Sequence, residues 1–375
     1  MKTVRRLLYR DIVGAVAFVT LAFLSLFFFT DCVDEIDRMS RAGAGSWVAL
    51  QLALLSIPGH FYQLFPITVL IGSIFSLARL AQSSEFTILR TGGLGPGRAL
   101  GLLANLALVF AVLTFVAGDF AEPYFKRQYD LLRARATGEA QSSAKGAWLK
   151  EHRTVDGQER SYSIHVGQAD VAGQLRDVRI FEFDEHGGLI SRTAAERANV
   201  DKQGLWQLQA VQRSEWSAGD TSATPGNTET PVRELRLPSL DWPSSLHAGV
   251  ITAAVLPAGS MSTLELYRYT EHLSAQEQSA QAHNIQFWRK ALYPFACFVM
   301  IALALPFAYL HGRSGGISLK VFGGIMLGIS FVLLNNVAGH MGILNNWTPW
   351  AAAASPSLIY LALSLAAFGW LVRYR

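Results

Sequence analysis

The sequence predicts a membrane α-helical fold of six transmembrane helices, arranged three and three around an inserted all-β, jelly-roll-like domain outside the cytoplasm. Three observations predict it. The 375 residues are 51% hydrophobic and only 16% charged, whereas soluble domains carry about 25% charged residues. The long uncharged runs lie before Gly118 or after Ala291. Between them the chain reads like an ordinary soluble domain, in short alternating segments broken by turn residues.

A helix needs about 20 predominantly apolar residues to cross the hydrocarbon core. Six runs meet that length: 12–30, 54–78, 99–118, 291–310, 321–341 and 350–372. Residues 46–57 extend the second run and read as an approach segment, with Pro58 and Pro66 bending the helix beyond it. The first run follows Lys2, Arg5 and Arg6 as a signal peptide would, yet it is too long for one. Bulky Phe27, Phe28 and Phe29 also stand where small cleavage residues belong, and Asp31 before Cys32 does not suit a lipid-attachment site. It reads as an uncleaved span. Cys32 and Cys297 are the two cysteines, so no disulfide framework or cysteine-rich metal site supports the fold.

Orientation is set by the short loops, because Lys and Arg concentrate on the cytoplasmic side. With both termini cytoplasmic, that side holds Lys2, Arg5, Arg6, Arg10, Arg79, Arg90, Arg98, Arg313, Lys320, Arg373 and Arg375. The short outer loops hold Arg38 and Arg41, a count of eleven against two. Trp47, Trp347 and Trp350 fall near the outer interface and Trp370 near the inner one, where amphipathic rings are favoured. The formal charge of +4 is too small and scattered to suggest nucleic acid.

The domain limits read as 1–122, 123–261 and 262–375. Within the middle one, 161–166, 177–183, 189–199 and 205–212 alternate or carry β-formers. Turn signals separate them at Asp156-Gly157, at His186-Gly187-Gly188 and over 201–204. No long helical period is evident from Asp119 until Ser262, where a Ser262-x-x-Glu265 capping box opens a helix. Strands without intervening helices point to a sandwich or jelly roll.

The chemistry that is missing narrows the function. No lysine follows a glycine anywhere, so there is no phosphate-binding P-loop. The Gly92-Gly93-Leu94-Gly95-Pro96-Gly97 run lacks dinucleotide spacing, and the nine histidines lack metal-ligand spacing. The six runs contain no Lys, Arg, Asp or Glu; His60 and His340 are the titratable groups nearest the hydrocarbon. Ion-coupled carriers generally need such groups within the membrane. If the chain moves a substrate, the energy must enter through a partner.

The cytoplasmic loop 79–98 (RLAQSSEFTILRTGGLGPGR) is the candidate port. Ser83 or Ser84 can cap a short helix over about 83–92, Glu85 sits where the dipole favours an anion, and Gly92-Gly93 ends it. Phe86, Ile88 and Leu89 would lie beside Glu85 and Arg90. Such a helix suits a groove on another protein, and equally a headgroup surface.

Residues 64–98 closely resemble the LptF/LptG family of lipopolysaccharide export permeases. Ser84, Glu85, Phe86, Ile88, Leu89, Arg90 and Gly93 occupy its Ser-Glu-Leu-x-Val-Met-Arg-Ala-x-Gly motif. Phe287, Trp288, Lys290 and Pro294 match its Phe-Trp-x-Lys-x-x-x-Pro motif before the fourth span. Within the family, Arg313-Ser314-Gly315-Gly316 and the Gly324/Gly328 pair look more like the G subunit than the F subunit.

The resemblance implies a non-catalytic permease subunit of an ABC transporter in a Gram-negative inner membrane, exporting lipopolysaccharide with no cofactor of its own. Its implied partners are an LptF-like paralogous permease subunit and a cytoplasmic ATPase dimer, which binds the ATP and Mg, together with LptC-like and LptA-like periplasmic jelly-roll proteins. Ser84, Glu85, Phe86, Leu89 and Arg90 would couple to the ATPase. The first and fifth spans would form lateral gates, with Gly323, Gly324 and Gly328 allowing close helix approach. Arg38, Arg41, Asn335 and Asn336 are candidate lipopolysaccharide contacts. The acidic stretch 31–37 departs from the family, which often places lysines there. A membrane-anchored scaffold acting through its β-domain is the competing class; co-purification with an ATPase, lost on charge reversal at Glu85, separates the two.

Overall fold

The structure is a computed structural model that describes residues 2–83, 95–137, 146–155, 158–169, 174–201, 205–216, 232–246, 251, 261–275, 281–309 and 316–374. Two compact units result, one of Met1–Gly138 with Asn284–Arg375 and one of Glu139–His283.

In the first unit the apolar runs are helical, and the helices outlast the hydrocarbon. Helix α1 spans Lys2–Arg41 and α2 Ser46–Gln82. The turn between them uses Gly43 at φ +74°, a conformation costly for other residues. The approach segment expected at 46–57 belongs to α2, which continues through Pro58 and Pro66 without interruption. Helix α3, Pro96–Val116, passes through a π-turn at Ala117–Ala121 into α4, Glu122–Thr137. Short alternating segments were expected from Asp119 onward; the helix persists because Tyr129, Leu132 and Ala136 make a stripe against Met39, Ala49 and Leu52. Helix α5, Thr263–Ala275, belongs to the second unit, and α6, Gln281–Leu292, spans the boundary back into the first. A 3₁₀ turn at Tyr293–Phe295 leads from α6 into α7, Ala296–Tyr309. Helices α8, Ile317–Leu344, and α9, Pro349–Tyr374, complete the described elements. The described residues contain six helices long and apolar enough to cross a membrane.

Helix α2 is the centre of the bundle. In its most apolar stretch 72% of residues are buried, against 17% in the first span and 22% in α8. It packs against α1, α4, α7 and α8. Polar clasps join the helices, where lipid offers no competing partner. Thr20 bonds Thr68 at 2.8 Å, Tyr9 donates to the Leu102 carbonyl at 2.8 Å, Thr114 meets Cys297 at 3.2 Å and Ser330 meets Tyr360 at 2.5 Å.

The second unit holds one six-stranded antiparallel sheet in sequential order: β1 Ala147–Val155, β2 Gln158–Ala169, β3 Gln174–Phe183, β4 Leu189–Val200, β5 Leu205–Trp216 and β6 Val232–Pro243. Its jelly-roll-like character lies in a corner that the strands turn. Buried positions run 191, 193, 195 along β4 and then 198, 200, a switch of face; β3 switches between Leu175 and Val178, and β5 between Leu208 and Val211. Asp177 at φ +50° and Ala210 at φ +53° lie on that line, as strands require when they bend to keep one side on a common core. The core includes Leu149, Ile164, Ile180, Trp206 and Trp242. Buried Glu151 on β1 accepts from the Ser244 hydroxyl at 2.7 Å and the Ser245 amide at 2.8 Å, tying the first strand to the end of the last. The expected turn before β4 forms with Gly187 at φ +82°, and Asp184 accepts from the His186 and Gly188 amides. The predicted capping box also forms: the Ser262 amide donates to Glu265 at 2.8 Å and the Glu265 amide to Ser262 Oγ at 3.3 Å.

Candidate functional site

The coupling residues Ser84, Glu85, Phe86, Leu89 and Arg90 lie outside the described residues. What the structure describes is how the chain reaches them and leaves them. Helix α2 runs without a break to Gln82, and the Ser83 amide closes on the Arg79 carbonyl at 3.0 Å. Helix α3 starts at Pro96 behind an extended Gly95, a proline position suited to a first helical turn. Arg79 is pinned to Asp11 of α1 at 3.0 Å. The end of α2 that leads into these residues is thus anchored to α1.

The three glycines of α8 separate on inspection. A β-carbon at Gly324 would lie 2.5 Å from Ile74 Cδ1, and one at Gly328 would lie 2.9 Å from Ile67 Cγ2. Both therefore set the approach of α8 to α2. Gly323 faces open space within 4 Å and plays no part in that contact. An approach of backbone to backbone has no marker in the sequence: a β-carbon at Gly72 would lie 2.7 Å from the Val16 backbone nitrogen and Cα. The first span and α8, the two expected gates, are thus each joined to α2 at positions where a glycine admits the neighbour. Their other faces are open, with Phe18, Leu21 and Phe29 exposed on α1 and Leu319, Phe322 and Leu333 on α8.

Above these helices runs a rim of paired charges. Asp31 meets His60 at 2.7 Å and also accepts from Ser56. Glu35, 4% exposed, accepts from Tyr129 at 2.7 Å and Arg38 at 2.9 Å, and Arg41 pairs with Asp37. Arg38 and Arg41 thus stay accessible, but each already faces a carboxylate of its own helix. No cluster of three or more metal-binding side chains occurs among the described residues. On α8, Asn336 accepts from Arg289 at 3.0 Å, while Asn335 is half-buried. Lys290 meets Glu122 at 3.5 Å, with both side chains largely buried. This pair gives the motif lysine a role: it ties the segment entering the fourth span to the helix leaving the third. The motif marked Lys290, but no sequence spacing indicated Glu122, Gly72 or Asp31 with His60.

A bundle with a buried central span, two thinly covered spans and an inserted β-domain defines a multi-pass membrane subunit built to be completed by other molecules. The family described as "Lipopolysaccharide export system permease LptF/LptG" matches residues 6–371, and the chain belongs to it. Among curated relatives, the protein named lipopolysaccharide export system permease protein LptG from Haemophilus influenzae is 25% identical over 366 residues, covering 97% of each chain. The protein of the same name from Escherichia coli K12 is 25% identical over 339 residues, covering 89% of each. The chain is therefore a non-catalytic permease subunit of the ABC transporter that exports lipopolysaccharide, with its β-domain periplasmic.

Proposed function

We propose that this chain is the G-type half of the permease, with both termini cytoplasmic, and that it receives the work of ATP hydrolysis at the 83–92 elbow. Ser84, Glu85, Phe86, Leu89 and Arg90 dock into a cytoplasmic ATPase dimer whose own sites hold ATP and Mg. A paralogous LptF-like subunit completes the cavity. Lipopolysaccharide enters along the first span and α8, with Arg38, Arg41, Asn335 and Asn336 near its headgroup, and leaves through LptC-like and LptA-like partners joined to the edges of the β-domain. The domain limits 1–122, 123–261 and 262–375 separate these tasks along the sequence, with α4 packing on α2 as part of the membrane unit.

One observation carries the reading: the family motif at Ser84–Gly93 comes directly after α2, the helix that packs on both proposed gates. The low burial of those two spans supports it, because they leave apolar faces for lipid or a partner. The test is charge reversal, Glu85→Lys, in the purified complex. Lipopolysaccharide-dependent ATPase activity should be lost while the complex still contains the chain in the membrane. Full retention of that activity refutes the docking role; failure of any ATPase to co-purify with the wild-type chain favours the scaffold reading instead.

A further inference from the structure

A cavity of about 530 Å³ lies between α1, α2 and the start of α8, at the end of the bundle that carries residues 10, 11 and 79. Its polarity is ordered along its depth. At the mouth the half-exposed Arg79 pairs with Asp11, and exposed Arg10 stands beside them, leaving one excess positive charge. Ser76 lies three residues earlier on α2, less than one helical turn deeper. It is 1% exposed, and its hydroxyl has no hydrogen-bond partner among the described residues. Beyond it the wall is apolar, with Phe18 of α1 and Phe75 of α2. A cation, then a hydroxyl, then hydrocarbon is the order in which a glycerophospholipid presents phosphate, ester and acyl chain.

We infer that this cavity binds one anionic glycerophospholipid of the cytoplasmic leaflet, its phosphate at Arg79 and Arg10, its ester at Ser76 and one acyl chain along Phe18 and Phe75. The charge excess selects an anionic headgroup, and the ester supplies the acceptor that the Ser76 hydroxyl otherwise lacks. The assignment of leaflet rests on the cytoplasmic placement of residues 10 and 79 proposed above; the binding chemistry does not.

The test uses the full chain, purified with its co-purifying subunits into nanodiscs containing phosphatidylglycerol or phosphatidylcholine, each with a diazirine in the acyl chain. Irradiation should place adducts within residues 14–19 or 71–79, about fivefold more from phosphatidylglycerol, as expected for one surface cation. Gly14→Leu places a side chain in the cavity, starting from a β-carbon position that meets no atom within 4 Å, and should reduce adducts to background while the chain still co-purifies with its subunits. Arg79→Gln should abolish the headgroup preference. Excess lipopolysaccharide should not displace the probe. Wild-type labelling of the Gly14→Leu variant, equal labelling by the two lipids, displacement by lipopolysaccharide, or a photoreactive residue at 75 that captures a protein subunit each overturns the site. Inverted topology in a thiol-accessibility assay would instead leave the adducts intact and overturn only the leaflet and the proposed orientation.

Discussion

Replacing Gly72 with alanine asks whether α2 and the first span are held as closely as their contact implies. The new β-carbon would stand 2.7 Å from two backbone atoms of Val16 and 2.8 Å from its Cγ2. Backbone cannot rotate away as a side-chain tip can. Ordinary carbon contacts need about 3.5 Å or more, so the helices must part by roughly 0.8 Å. The Thr20–Thr68 hydrogen bond, one turn along the same antiparallel contact and 2.8 Å long, would then stretch beyond 3.5 Å. Overpacking costs about 1–3 kcal/mol, and a lost interhelical hydrogen bond adds about 0.6 kcal/mol. The expected penalty is therefore about 2–4 kcal/mol. Thermal unfolding of the detergent-solubilised complex, followed by tryptophan fluorescence, should rank Gly72→Ala well below wild type. Gly324→Ala should fall between them, because it presses on the rotatable tip of Ile74. Gly323→Ala should match wild type, having open space around it. If Gly72→Ala melts with Gly323→Ala, close approach does not organise these helices and the packing argument is wrong.

Three further outcomes can be measured. Breaking the Lys290–Glu122 pair by Lys290→Met strands a buried carboxylate and should cost about 3 kcal/mol, while the double variant Lys290→Met/Glu122→Leu should recover much of it; additive losses in a double-mutant cycle would deny the pairing. Burial raises the affinity of Glu182 for its proton, but hydrogen bonds from Ser191 at 2.7 Å and Arg160 at 2.6 Å win and hold its pKa below the ordinary 4.5. Its stabilisation is thus fully present above pH 4.5 and is lost as pH falls through the lower folded value. Amide exchange in β2–β4 of the full chain should accelerate in that acid window, and Glu182→Gln should flatten the dependence; an unchanged profile in the variant refutes the assignment. The Lys320 ammonium, 6% exposed, has no hydrogen-bond partner among the described residues, so Lys320→Met should raise the unfolding temperature; a clear drop would show that the ammonium meets a partner in the assembled transporter.

Much of this architecture is visible in the residues, for reasons that also explain the gaps. Uncharged runs report the thickness of the hydrocarbon, so all six spans were evident, but they do not report helix length. Residues 31–41 and 122–137 are polar yet helical, the first continuing α1 and the second docking a three-residue apolar stripe. Central strands alternate because both neighbours constrain them. Strands β1 and β6 lie at the sheet edges and escaped the pattern: Lys150, Glu151 and Arg153 mask Leu149, the buried hydrophobic side chain described on β1. Glu151 is a charge on the buried side, tolerable only because residues 244 and 245 arrive from nearly a hundred positions away to satisfy it. Gly324 and Gly328 stood out by their spacing, whereas the importance of Gly72 depends on the register of α1 against α2. Charges at the ends of spans announced themselves individually, but their pairing as Asp31 with His60, or Asp11 with Arg79, is a property of that same register.

Helix α2 is the element through which the proposed elbow would have to act. It is continuous from Ser46 to Gln82, so displacement of its inner end is carried along its length rather than absorbed in a loop. On one side Val16 lies against Gly72; on another, Gly324 and Gly328 admit Ile74 and Ile67. Packed interfaces of this kind have few intermediate arrangements, because opening them by even part of an ångström forfeits contact energy along the whole seam. Pull on the Gln82 end of α2 must therefore move the first span and α8 with it or separate them from it. Either response would change the lateral openings proposed along these two thinly covered spans, without requiring a titrating group in the hydrocarbon. The glycine contacts would thus supply, in packing alone, the transmission that intramembrane charges supply in ion-coupled carriers.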